Sequence, residues 1–212
     1  MIVSSVVIGN NADLIAEVAR LYLPEKARVA DVTYGKGVFW RKVKPFLLNA
    51  SDLNHPNENL RHDFRKLPYK NGEFDVTVFD PPYVHNPGKG SMLNARYENH
   101  DTTAGMYHVD IMRLYRKGIV EAARVTKCGG TVWVKCKDEI ESNIQCWSHV
   151  EVYAYAKSLG LYVKDLFVLV PKSNVPPDER VQRHARKRHS YLWVFEVCSI
   201  EQLKRRDSVE SK

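Results

Sequence analysis

Apolar residues recur at helical spacing between Asn11 and Tyr22, where Leu14, Ile15, Val18, Leu21 and Tyr22 share one face, Asn10 or Asn11 can act as N-cap and Pro24 follows the end. A short apolar run, Arg28-Val-Ala-Asp-Val, then stops at Thr33-Tyr-Gly-Lys-Gly, and Val38 to Val43 resumes a pattern that can begin a helix. Phe46 to Ala50 reads as a second buried strand ending at Ser51-Asp52, and Phe74-Asp-Val-Thr-Val-Phe as a third ending at Asp80. Helical spacing returns from Val109 to Val125, Gly129-Gly130 breaks it, Thr131-Val-Trp-Val-Lys is a further strand, and His149 to Ser158 is a helix stopped at Gly160. Leu161 to Leu169 and Ser190 to Val197 are two β-rich runs that pair as a long hairpin. Strands alternating with helices and closing on a hairpin predict a mostly parallel α/β sheet with an antiparallel edge.

The chain has 212 residues with 44% hydrophobic content, which supports one core and hence one domain over residues 1–200, with a polar tail over 201–212. Lys plus Arg number 32 against 25 Asp plus Glu, a formal charge of +7 that favours a polyanionic partner. Cys128, Cys136, Cys146 and Cys198 have neither the spacing of a zinc site nor the density of a disulfide scaffold, so no metal is expected. The chain shows no secretory pattern and no run of membrane-spanning length; the expectation is a soluble, cytoplasmic protein. Composition leaves the oligomeric state open.

Four places can carry chemistry. In the turn Asp31-Val-Thr-Tyr-Gly-Lys-Gly, Gly35 and Gly37 allow the backbone to approach a ligand closely, though the third glycine of a dinucleotide fingerprint and the P-loop pattern are both absent. Asp52 follows Asp31 by 21 residues at the next strand end, where a carboxylate can accept from ribose hydroxyls or simply cap the turn before Asn54. Asp63 falls on another loop at the same edge and can accept from an adenine amino group or stand solvated. Asp80-Pro81-Pro82-Tyr83 leaves a buried strand directly, and its consecutive prolines hold the acid, the carbonyls and the ring rigidly at the sheet edge.

Asp80 to Tyr83 resembles the catalytic motif Asp/Asn/Ser-Pro-Pro-Tyr/Phe of the class I amino-methyltransferases that use S-adenosyl-L-methionine, and the similarity extends to Asp31–Gly37, Asp52 and Asp63 in the family's order. The resemblance implies a Rossmann-like, mostly parallel seven-stranded sheet with an antiparallel last strand and helices on both faces. It also implies a cofactor site over Asn10, Asp31, Thr33, Tyr34, Gly35, Gly37, Asp52 and Asp63, and a catalytic clamp in Asp80, Pro81, Pro82 and Tyr83. The clamp would draw the protons of an exocyclic amino group out of conjugation, with N6 of adenine in DNA the leading target. Guanine N2 or adenine N6 in RNA, cytosine N4 in DNA, and a silent nucleic-acid-binding scaffold are the alternatives. Two features depart from the family: Val32 stands where many relatives have proline, and the chain is short for members carrying a separate target-recognition region.

Nucleic acid, the expected partner, has two candidate contact segments. One is Val84 to Gly105 with Lys89 and Arg96. The other is Arg180 to His189, where Arg183, Arg186, Lys187 and Arg188 crowd beside His189 and Tyr191. By resemblance, His189 or Tyr191 packs against the target base.

Overall fold

The computed structural model describes residues 2–83, 107–172 and 183–198. Its elements in chain order are β1 (Val6–Gly9), α1 (Asn11–Tyr22), β2 (Arg28–Asp31), β3 (Leu47–Ala50), β4 (Phe74–Phe79), α2 (His108–Val125), β5 (Thr126–Cys136), β6 (Glu139–Glu141), β7 (Ile144–Cys146), α3 (Ser148–Ser158), β8 (Tyr162–Pro171) and β9 (Ser190–Glu196). Seven strands form one sheet in the order β1-β8-β9-β5-β4-β2-β3, and β6 and β7 form a separate two-stranded hairpin. β9 runs antiparallel to both β5 and β8; every other pairing in the large sheet is parallel.

Strands buried on both faces require helices on both sides, and the alternation of side chains divides them cleanly. Val29, Val76, Val78, Trp133, Leu192 and Val194 face α1, where Leu14, Ile15 and Val18 are fully buried. Ala30, Phe79, Val132, Val134 and Phe195 face α2 and α3, meeting Ile111, Tyr115, Ile119, Val152 and Ala156. Burying side chains of this size stabilises the fold by roughly 1.5–3 kcal/mol each, before the entropy of ordering them is subtracted. α1 starts with a capping box in which Asn10 Oδ1 accepts from the amides of Ala12 and Asp13 while Asp13 Oδ2 accepts from the Asn10 amide. α3 ends as expected at Gly160, whose φ of 79° lets Leu161 N–H reach the Ala156 carbonyl and Gly160 N–H the Lys157 carbonyl.

The predicted hairpin is the β8–β9 pair, and the expected seven-stranded, mostly parallel α/β sheet is observed. Five details differ from the sequence reading. β3, expected to be buried, is an edge strand whose Leu47 is exposed, as is Phe46 just before it. β1 is an additional strand, aligned with β8 from Val6 beside Val168 to Gly9 beside Pro171. Val38–Arg41 is a single 3₁₀ turn; it anchors Phe39 and Trp40 against α1, and no α-helix begins there. α2 ends at Val125 as expected, but β5 begins at once at Thr126 and not at Thr131, so the glycine pair lies within the strand, where Lys127 to Gly130 form a shift in register between β4 and β5. The β6–β7 hairpin turns on Ser142 and Asn143, both at positive φ, the conformation that a tight two-residue turn demands.

Candidate active site

The carboxyl ends of β2, β3, β4 and β5 converge at one edge, and the predicted turn, acids and tetrapeptide leave the sheet there. Asp31 closes β2 with a buried carboxylate, which accepts from Trp40 Nε1 at 2.7 Å and from the Thr33 amide at 3.1 Å. Burial pushes its pKa up to about 7; the two hydrogen bonds oppose the rise, and Asp80 and Asp52 add to it. Asp31 therefore shapes the turn from within.

Gly35 and Gly37 both hold positive φ, 52° and 64°, but for different surroundings. A Cβ on Gly37 would collide with the Tyr34 ring, whose hydroxyl would stand 2.5 Å away, whereas nothing lies within 4 Å of the position a Cβ would take on Gly35. The open side of the turn is thus over Gly35. Its amide donates to Asp52 Oδ2 at 3.0 Å, while Asp52 Oδ1 accepts from Asn54 N at 3.0 Å, so Asp52 ties the glycine turn to the end of β3.

Asp80 lies one residue beyond β4. Its amide donates to Thr33 Oγ1 at 2.7 Å, which joins the tetrapeptide to the glycine turn. Because Phe79 aligns with Val134, the next position brings Asp80 alongside Lys135 of β5. The Lys135 ammonium stands 3.6 Å from Asp80 Oδ1, donates to Tyr83 Oη at 3.2 Å, and lies 4.6 Å from the centroid of the Tyr83 ring. The lysine side chain is 2% exposed. Burial pushes the Asp80 pKa up while Lys135 pulls it back; burial also works against the lysine's charge, yet Asp80 and Tyr83 outweigh it and hold Lys135 above its ordinary value. Sequence reasoning missed Lys135. Its one signal was a lysine directly after the apolar run Val132-Trp133-Val134.

Three solved structures share this architecture. A SAM-dependent methyltransferase from Methanosarcina mazei superposes with a TM-score of 0.51 at 11% identity, over 85% of this chain and 97% of its own. A protein of Bacillus halodurans C-125 assigned as a methyltransferase gives 0.53 at 13%, over 87% and 99%. TrmN from Thermus thermophilus gives 0.52 at 16%, over 87% of this chain and 48% of its own, so the chain spans about half the length of TrmN. The fold is that of the SAM-dependent methyltransferases. Neither a protein-family model nor a curated protein matches the sequence.

Asn10 spends its side-chain oxygen on the cap of α1. Asp63 accepts from Arg65 Nε at 2.9 Å and from Arg65 Nη2 at 2.6 Å, a pairing that holds its carboxyl below the usual range. Lys89 and Arg96 lie outside the described residues, as does the rest of 84–106. The segment 183–189 is described, and it passes over the β6–β7 hairpin. His184 Nε2 is 2.9 Å from the Asn143 carbonyl and the Lys187 ammonium sits 4.2 Å above the Trp147 ring, while Arg183, Arg186 and Arg188 are exposed. His189 Nε2 lies 2.7 Å from Tyr191 Oη, and the Tyr191 ring stacks on His149 at 4.2 Å. His149 Nδ1 in turn meets Asp138 Oδ1 at 2.7 Å. Burial, reinforced by Asp138, pushes the Tyr191 pKa up to about 12. Tyr191 pairs with Cys136, the residue after Lys135, so this aromatic and basic group borders the same end of β5.

Proposed function

We propose that the chain is an S-adenosyl-L-methionine-dependent methyltransferase acting on an exocyclic amino nitrogen of a nucleobase, foremost N6 of adenine in DNA. The observation that carries the reading is the bond from the Asp80 amide to Thr33 Oγ1, which makes the acid of Asp80-Pro81-Pro82-Tyr83 and the glycine turn two walls of one site. The residues present fit the cofactor. The turn is open over Gly35, Asp52 stands at the strand end suited to ribose hydroxyls, and the acids at this edge complement a sulfonium cation. When bound, the cofactor supplies an electrophilic methyl group.

An amino nitrogen conjugated to a purine ring is a poor nucleophile. Asp80 and the Pro81 carbonyl accept hydrogen bonds from its two N–H groups and so favour a geometry in which the lone pair points out of the ring plane. Tyr83 covers the face of the base, with its ring held over the Lys135 ammonium. A target inside a duplex must leave the stack, at a cost of roughly a few kcal/mol that contact with Tyr83 partly offsets. The exposed cations at Arg183, Arg186 and Arg188 and the His149–Tyr191 stack supply backbone and base contacts beside that position.

Incubation with methyl-labelled cofactor and separate DNA and RNA pools, followed by mass spectrometry of the nucleosides, tests this directly. Methyladenine in DNA is expected; labelled guanine or adenine from RNA would transfer the same chemistry to the alternative polymer. Asp80→Ala is expected to lower turnover by at least roughly a hundredfold while calorimetry shows cofactor binding intact, and Asp52→Ala to weaken cofactor binding. Undiminished turnover by Asp80→Ala would remove the acid from catalysis.

A further inference from the structure

Lys135 is the least expected residue at this edge. An ammonium removed from water is stable only where other groups replace its hydration. Its partners among the described residues include Asp80 Oδ1 at 3.6 Å and Tyr83 Oη at 3.2 Å, both within the tetrapeptide. A structural lysine could be anchored by any acid. This one reaches the carboxylate whose chemistry the proposed function requires, and it lies beneath the ring proposed to cover the base.

Asp80 draws on an amino N–H most strongly as a carboxylate, since an ionised acceptor makes the stronger hydrogen bond and a carboxylic acid turns one of its two oxygens into a donor. Yet Asp80 Oδ1 is buried and, among the described residues, accepts no hydrogen bond, a setting that favours the protonated form. We infer that Lys135 is a positioning residue for methyl transfer: its buried ammonium keeps Asp80 ionised and fixes the tilt of Tyr83, so that both are ready before the target base arrives. The inference rests on the amino-methyltransferase reading. It goes further in assigning the ionisation state of the acid to a residue on the neighbouring strand. Burial raises the Asp80 pKa and Lys135 lowers it, in keeping with that division of labour.

The test compares wild type, Lys135→Met and Lys135→Arg. In Lys135→Met the acid limb of the kcat–pH profile is expected to move upward by about one to three pH units, with kcat at pH 7 reduced by about tenfold or more and KM for the cofactor within about twofold of wild type. Lys135→Arg, which retains the charge, is expected to keep the limb near its original position. Coincident profiles for wild type and Lys135→Met, or a defect confined to cofactor binding, would overturn the inference. A second measurement needs no turnover: carbon-13 NMR of the Asp80 carboxyl, assigned with Asp80→Asn, should report a carboxylate at pH 7 in the wild-type protein. A protonated Asp80 there would refute the inference even if Lys135→Met failed to fold. If wild type methylates neither DNA nor RNA while the carboxyl shows the expected titration, the functional reading fails and the Lys135–Asp80 coupling stands.

Discussion

Asp31 shows how a single buried side chain can make a fold respond to pH. Its folded-state pKa of about 7 lies above its ordinary value of 3.8, so the folded protein holds this proton more tightly than the unfolded chain does. The associated stability is complete below about pH 4 and is lost as pH rises through 7. Urea denaturation at pH 5 and pH 8 should therefore show wild type losing stability relative to Asp31→Asn by an amount on the order of a few kcal/mol; parallel changes in the two proteins would show that the Trp40 and Thr33 bonds hold the carboxylate at a normal pKa. At this scale the motif acids were legible and their partners were not. Asp80, Asp52 and Asp31 could be placed at strand ends because each follows an apolar run. That Asp31 turns inward to Trp40, or that Asp63 is held by Arg65, depends on side-chain geometry that spacing does not encode. Lys135 escaped notice because a lysine at the end of a strand ordinarily reads as the point where the chain meets solvent.

Gly118, in the middle of α2, settles a contest between elements. Gly to Ala inside a helix normally gains up to about 1 kcal/mol, but here a Cβ would collide with the buried Phe79 ring. That ring is itself confined by Phe64 and Tyr115, whose centroids lie 5.0 and 5.9 Å away. Overpacking typically costs about 1–3 kcal/mol, so Gly118→Ala is expected to lower stability by up to about 2 kcal/mol net in urea denaturation. A gain would mean the ring can move aside. The helices and most strands could be read from periodicity because each buries a continuous face. β1 could not: it has four residues, only Val7 of them buried, and its partner β8 lies at the far end of the chain, with Val6 beside Val168. The 3₁₀ turn at Val38–Arg41 carries the same apolar residues a helix would, and only its packing under α1 distinguishes the two.

Across the whole molecule, the fold class follows from the alternation of strands and helices, whereas the order of strands and the assignment of residues to two separate cores arise from pairing between distant segments. The net charge of +7 is a property of the entire chain, yet the described segment 183–189 concentrates cations where the proposed substrate would lie. Replacing Arg183, Arg186, Lys187 and Arg188 together by Gln should weaken retention on DNA and flatten its salt dependence by about 0.9 in log–log slope for each phosphate no longer neutralised, with cofactor affinity unchanged. An unaltered slope would mean that other cations of the chain bind the phosphates.

The Thr33 hydroxyl that receives the Asp80 amide has one further consequence. A molecule settling over Gly35 and another settling against Asp80 press on two ends of the same short strut, and neither can shift it unnoticed by the other. Occupancy of one seat should then alter affinity at the other, and thermodynamic reciprocity makes the factor identical in both directions.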